Sequence, residues 1–424
     1  MDRRQLLGGL TGALVLIPAA PAAAAPATAK ATGAGAPAPA RTDRGRTLQR
    51  LLDDEHAAGM PGAFAQVRDG HRVWRPAAGV ADVQTGRPVR PWFRHRVGSI
   101  TKTFVATVIL QLVDEHRVSL DAPIGRYLPD VVPGDVGRRV TVRMLLNHTS
   151  GIGNYTAALL RSYEDLEWLR TATFTPQQLV AIGLGMPPTG APGVQHSYSN
   201  TGYIVLGLLI ERLTGRRYAE ELRRRILRPL DLHDTYAPGA DPYIRGPHAR
   251  AYLPWPTGEL RDFSVYNMTW AWAAGELIST MSDLNRFYRS LLSGRLLRRS
   301  LLAEMQRTVP FDPAAPDAGG YGLGLYWVPA PCGRVWGHDG GVIGQTTVSV
   351  HSPDAEDQVS LAENMNFYQT PGEPHPIDEA RGRFLEAAVC GTEVTAATRG
   401  RVPATGLTGW LPLTPDVSLS RARR

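Results

Sequence analysis

The chain has 424 residues, 43% of them hydrophobic and 20% charged, and a formal net charge of +7. That is enough apolar material for one large core or two smaller ones, and it excludes a disordered chain. The body contains no apolar run of about 18 residues, which excludes a multi-span membrane protein, and two cysteines, Cys332 and Cys390, are too few for a zinc knuckle or an iron–sulfur site.

The basic excess sits in the ends. Residues 1–46 carry +4 and residues 393–424 carry +3, which leaves 47–392 neutral. A neutral body with basic tails gives no support for a nucleic-acid groove. All but two of the 46 basic residues are arginine, and the exceptions are Lys30 and Lys102. The body therefore has one lysine, placed in a chain that uses arginine for ordinary surface charge. An ammonium can lose its proton when desolvated, whereas a guanidinium cannot.

In chain order, residues 1–29 read as an export signal. Arg3 and Arg4 precede a short apolar stretch from Leu6 to Ile17, and Ala27-Thr28-Ala29 fits a small-residue cleavage site. The paired arginines resemble a twin-arginine signal, and the apolar stretch is too short for a stable membrane span. A secreted, extracellular protein is expected. Residues 30–46, rich in Ala, Pro, Thr and Gly, read as a linker. Ala63–Val67 and Arg72–Trp74 flank Asp69-Gly70 as a hairpin, and a further strand is expected near Val80. Residues 103–113 are apolar almost all round and predict a buried helix.

The stretch from about 116 to 275 reads as helices and loops. It includes an amphipathic helix from Tyr203 to Leu213, stopped by Gly215, and a charged helix from Arg216 to Leu227. Leu277–Leu292 predicts another helix. Strand patterns return at Leu323–Val328, Arg334–Trp336, Thr346–Val350 and Val359–Ala362, and a last helix runs from Ile377 to Val389. Strands at both ends with a helical middle argue an α+β unit, 47–392, carrying a helical insert. Residues 393–424 read as a loosely ordered basic tail. In an oxidising compartment Cys332 and Cys390 are expected to pair, the alternative being two buried thiols.

Three short motifs carry chemistry. In Ser99-Ile100-Thr101-Lys102 the two polar side chains lie three apart on one helical face, at the mouth of the apolar helix. A desolvated amine can take the serine proton, and the helix N-terminus favours a developing oxyanion. Tyr198-Ser199-Asn200 lies in a polar loop before the next helix and offers a hydroxyl and an amide. Gly337-His338-Asp339-Gly340-Gly341 lies between two strand patterns, where glycine allows close approach of a substrate backbone. Each motif alone reads more simply as a cap or a turn. Gly-x-Ser-x-Gly, His-Glu-x-x-His and a phosphate-binding Gly-Lys-Ser/Thr are all absent.

Together and in this order the three motifs resemble the serine β-lactamase and penicillin-binding-protein superfamily. The Tyr-x-Asn and His-x-Gly forms point to the branch that holds class C β-lactamases, D-alanyl-D-alanine carboxypeptidases, esterases and D-aminopeptidases. Leu145–Gly151, Tyr321–Leu325 and Trp270-Ala271 match it as well, and the pattern is nearest to the secreted carboxypeptidases. The resemblance implies an antiparallel sheet flanked by helices. It also implies Ser99 as acylated nucleophile, and Lys102 and Tyr198 as proton carriers. Asn200 would hold the acyl-side amide, and the amides of Ser99 and Gly341 would form the oxyanion hole. His338, Asp339, Gly340 and Trp270 would line the substrate cleft.

No metal or other cofactor is implied. The expected partner is a small molecule or peptide, of D-alanyl-D-alanine, β-lactam or ester type, acting on a monomer. Two places, covering three residues, depart from the carboxypeptidases. Asp339 and Gly341 stand where that group carries Thr, and Tyr326 stands where it carries Arg. Those missing groups bind a terminal carboxylate, which Asp339 would repel. The alternatives are therefore an esterase, a D-aminopeptidase or a class C-like β-lactamase, and outside catalysis a penicillin-sensing module.

Overall fold

The structure, a computed structural model, describes residues 41–369 and 373–391. The expected signal segment, the first part of the linker and the basic tail lie outside the described residues. No helix among the described residues is long and apolar enough to cross a membrane.

A ten-stranded antiparallel sheet forms the centre. Its strands follow the spatial order Arg87–Pro88, Ala77–Asp82, Gly62–Asp69, Asp357–Glu363, Gln345–His351, Gly333–Val342, Tyr326–Ala330, Gly320–Tyr321 and Val309–Pro310. Arg72–Trp74 pairs beside Gly62–Asp69, as the hairpin reading expects. The two ends of the chain meet where Gly62–Asp69 pairs with Asp357–Glu363, in register from Ala63 opposite Glu363 to Asp69 opposite Asp357.

Both faces of the sheet are covered, so its strands are apolar on both sides. Ala63, Ala65 and Val67 pack with Leu48, Leu52, Phe384 and Leu385 of the two terminal helices, Arg41–Ala57 and Pro376–Cys390. Phe64, alternating with them, joins the other core. That second core surrounds the helix Thr101–Asp114, which is buried on nearly every side as its composition demands. Phe104 on this helix stacks on Phe287 at 3.7 Å between ring centroids, and truncating a buried phenylalanine of this kind typically costs about 3–5 kcal/mol.

Five expectations need correction. Residues 41–46, assigned to the linker, begin the first helix. Arg44 holds them down: it bonds Asp69 at 2.5 Å and the Ala388 carbonyl at 3.0 Å, and it lies over the Trp74 ring. The helix expected from Leu277 starts at Met281, because the Thr280 hydroxyl caps it through the Asp283 N–H and Ile278–Ser279 pairs with His95–Arg96. Leu323–Leu325 is a turn, closed by the Gly322 N–H to the Leu325 carbonyl at 2.7 Å, and the strand begins at Tyr326. The region 116–275 consists of helices and loops, as expected, and also contains a short hairpin, Tyr252–Pro254 with Leu260–Asp262. The glycine-rich triplet lies inside the strand Gly333–Val342 rather than in a hairpin turn. Cys332 and Cys390 are joined, with Cα atoms 5.3 Å apart.

Candidate active site

Ser99 sits in a tight turn, Gly98–Ile100, that runs straight into the helix Thr101–Asp114. The turn and the strand Gly333–Val342 touch backbone to backbone. Gly98 has φ +54°, and a Cβ there would fall 2.9 Å from the Gly341 nitrogen. A Cβ on Gly340 would fall 2.0 Å from the Val97 carbonyl oxygen and 2.9 Å from the Ser99 nitrogen. Only glycine permits this approach. It sets the amides of Ser99 and Gly341 on one wall of the cleft, where a carbonyl oxygen gaining charge can find two donors.

Lys102 is fully buried one helical turn on. Its Nζ lies 2.8 Å from Ser99 Oγ, 2.7 Å from Asn200 Oδ1 and 2.7 Å from the Ala274 carbonyl oxygen. None of these is a carboxylate. Burial pulls the amine well below the usual lysine range, and only Asp339 opposes it. A neutral amine here donates to Asn200 and Ala274, which leaves its lone pair toward the Ser99 hydroxyl. That is the geometry of a general base for serine.

Tyr198 completes the reacting group. Its ring centroid is 4.9 Å from Lys102 Nζ, and it shares a side-chain hydrogen bond with Ser99. Burial holds its hydroxyl well above the ordinary range, so it stays protonated and can donate. His148 packs against its ring at 4.1 Å between centroids and accepts the Ser199 N–H through Nδ1 at 3.2 Å. Asn200 is fixed from both ends. Its Nδ2 donates to Asn154 Oδ1 and Thr156 Oγ1, at 3.3 and 3.1 Å, while its oxygen faces Lys102. In this arrangement it positions the lysine, and its amide hydrogens already have partners.

The cleft holds a cavity of about 430 Å³ whose walls include Ser99, Tyr198, Asn200, Trp270, His338, Asp339 and Gly341. All the expected site residues therefore converge there, apart from Lys102 behind Ser99 and Gly340, packed against the Ser99 turn. His338 Nε2 lies 2.7 Å from the Tyr321 hydroxyl, and its Nδ1–H donates to the Asp339 carbonyl oxygen at 2.6 Å. Burial lowers this imidazole to about 3, so it is neutral. Burial also pushes the Asp339 carboxyl up to about 6, against the influence of Tyr326 and Lys102.

Sequence reasoning missed Asn154, Thr156, Ala274 and Glu276, and it did not single out His148. Ala274 contributes only a carbonyl, which leaves no mark on composition. Glu276 follows it two residues later and is buried. Its Oε1 accepts the Tyr218 hydroxyl, and its Oε2 accepts the Gly239 N–H at 2.9 Å. It thereby anchors the segment whose Ala274 carbonyl seats Lys102. Burial lifts this carboxyl to about 7, although both hydrogen bonds favour the charged form.

A buried serine–lysine–tyrosine group at a helix mouth, beside a sheet strand, defines a serine hydrolase. Residues 46–374 match the family described as Beta-lactamase, and the chain belongs to that family. Among solved structures it is similar to a D-stereospecific amidohydrolase from Streptomyces sp., with 41% identity and a TM-score of 0.73 over 82% of this chain and 99% of the other. It is 32% identical to penicillin-binding protein 4 of Amycolatopsis lactamdurans over 307 residues, 68% of this chain and 76% of the relative. It is 28% identical to a D-aminopeptidase of Brucella anthropi over 320 residues. That match takes in 74% of this chain but only 57% of the relative's length.

Proposed function

We propose that the protein hydrolyses amides of D-amino acids through an acyl-enzyme on Ser99. Ser99 Oγ attacks the substrate carbonyl carbon and its proton passes to Lys102 Nζ. The oxyanion forms against the N–H groups of Ser99 and Gly341. Collapse of the intermediate breaks the C–N bond, and the leaving nitrogen takes a proton through the Tyr198 hydroxyl, which Lys102 resupplies. Water then attacks the ester by the reverse route, giving its proton to the same pair and releasing the acid. Loss of a base of this kind lowers rates by about 10²–10⁴-fold.

One observation carries the choice of substrate. Among the described residues, no arginine or lysine lines the cavity, and its two histidines are held neutral, His196 at about 4 and His338 at about 3. A terminal carboxylate finds no cation there. A carboxyl group, Asp339, stands in the wall instead. The D-stereochemistry is supported by the likeness to the amidohydrolase and the D-aminopeptidase. The second reading is a D-alanyl-D-alanine carboxypeptidase, favoured by the likeness to penicillin-binding protein 4.

Steady-state hydrolysis of D-phenylalanine amide, its L-enantiomer and an N-acyl-D-alanyl-D-alanine peptide separates the two. The amidase reading expects the D-amide to have the highest kcat/KM. Faster cleavage of the dipeptide would select the carboxypeptidase.

A further inference from the structure

We infer that Asp339, with Tyr326 beside it, forms a subsite for the protonated α-amino group of the substrate. This inference deepens the amidase reading and rests on it. Residues two apart on a strand face the same side, so Asp339 shares the cleft face with Gly341, whose amide lies beside Ser99. Two strand residues span about 6.6 Å. That places the carboxyl one substituent away from the reacting carbonyl, where an α-amino group lies.

The carboxyl has hydrogen-bond donors but no charged partner at ion-pair distance among the described residues. Asp339 is 5% exposed, and among the described residues its ion-pair contact is His338 Nδ1 at 3.7 Å. That nitrogen's proton is already given to the Asp339 backbone carbonyl, and the ring is neutral. The Tyr326 hydroxyl next to it is buried and donates to this carboxyl, which leaves the tyrosine oxygen able to accept. A buried carboxyl and the buried hydroxyl bonded to it thus face one cavity. A buried carboxylate without a counter-charge is costly, and a ligand able to meet both groups is a hydrogen-bond-donating cation. An ammonium donates to the carboxylate and to the tyrosine oxygen at once. Its arrival would also replace the ionised carboxylate's missing counter-charge, which burial otherwise pushes toward the protonated form.

Asp339 has one other role open to it, since it is the charge that opposes deprotonation of Lys102. A charge acting on Lys102 changes the rate of every substrate alike, whereas an ammonium subsite changes selectivity.

The test uses D-phenylalanine p-nitroanilide and its N-acetyl derivative on wild type, Asp339→Asn and Tyr326→Phe. The subsite predicts that wild type prefers the free amine. It predicts that Asp339→Asn lowers the ratio of the two kcat/KM values by at least about 10-fold, chiefly through KM, and that Tyr326→Phe lowers it by a smaller factor. Equal losses on both substrates, or an unchanged ratio, would overturn the inference. Wild type cleaving both anilides without preference would overturn it while leaving the amidase reading in place. Wild type cleaving neither anilide but cleaving a D-alanyl-D-alanine peptide would overturn both.

Discussion

Lys102 and Arg381 are both buried cations, and the protein treats them in opposite ways. Lys102 is surrounded by a hydroxyl, an amide oxygen and a backbone carbonyl. Arg381, on the helix Pro376–Cys390, reaches Asp378 at 2.6 Å, the Tyr368 hydroxyl at 2.9 Å and Glu363 at 3.4 Å. Burial pulls both cations toward the neutral form. At Arg381 the ring of Tyr368, Glu363, Asp378 and Glu55 outweighs it and holds the guanidinium above its ordinary range. At Lys102 nothing comparable does, and the amine falls. Carboxylates around a buried cation preserve its charge and tie the terminal helix to the sheet, whereas burial with only neutral acceptors favours loss of the proton and so a base. The contrast also accounts for the residue types: arginine cannot serve where a proton must be lost.

The structural side of this contrast is expected to show the larger effect on stability. Arg381→Met leaves the fully buried Glu363 and the partly buried Asp378 without their cation, and removing one partner of such a group typically costs about 3–5 kcal/mol. Denaturant unfolding should show a loss of that size, with kcat/KM of the folded protein within about twofold of wild type. A loss below about 1 kcal/mol would mean that the cluster is not what holds the helix down.

A smaller effect is expected at Glu276, behind the lysine seat. Its carboxyl is raised from 4.5 to about 7 in the folded chain. Between those values the folded state binds the proton more tightly than the unfolded state. The group's contribution to stability is therefore fullest below pH 4.5 and is lost as pH rises to about 7. The limiting slope is about 1.4 kcal/mol per pH unit. Melting curves across this range should fall more steeply for wild type than for Glu276→Gln, and parallel curves would show that the carboxyl is not perturbed.

The parts of this contrast differ in how far the sequence exposes them. The helix behind Ser99 is legible because apolar residues surround it on every side, and Lys102 stands out in a chain that otherwise uses arginine. The three motifs converge in the cleft because each carries its own chemistry at a fixed local spacing. The seat of Lys102 is largely illegible, since Ala274 acts through its backbone and Asn154 acts through Asn200. Arg381 is one arginine among many, and its role depends on Glu363 and Glu55, which are brought to it by strand pairing and helix docking. The first helix is hidden for a related reason: its early residues have the composition of a linker, and contacts to Asp69, Trp74 and Ala388 order them.

The most direct test of the central claim is the rate at which Lys102→Arg is acylated at Ser99 by an activated ester, followed by mass spectrometry of the intact protein and its Ser99 peptide. The variant keeps the positive charge and loses the ability to be neutral. It should fold with a lowered melting temperature, because a larger, permanently charged group is buried without a carboxylate, and below that temperature it should acylate at least about 10²-fold more slowly. Acylation of Ser99 at a near-normal rate would contradict the account, because a permanently charged side chain would then be doing the work assigned to a neutral amine.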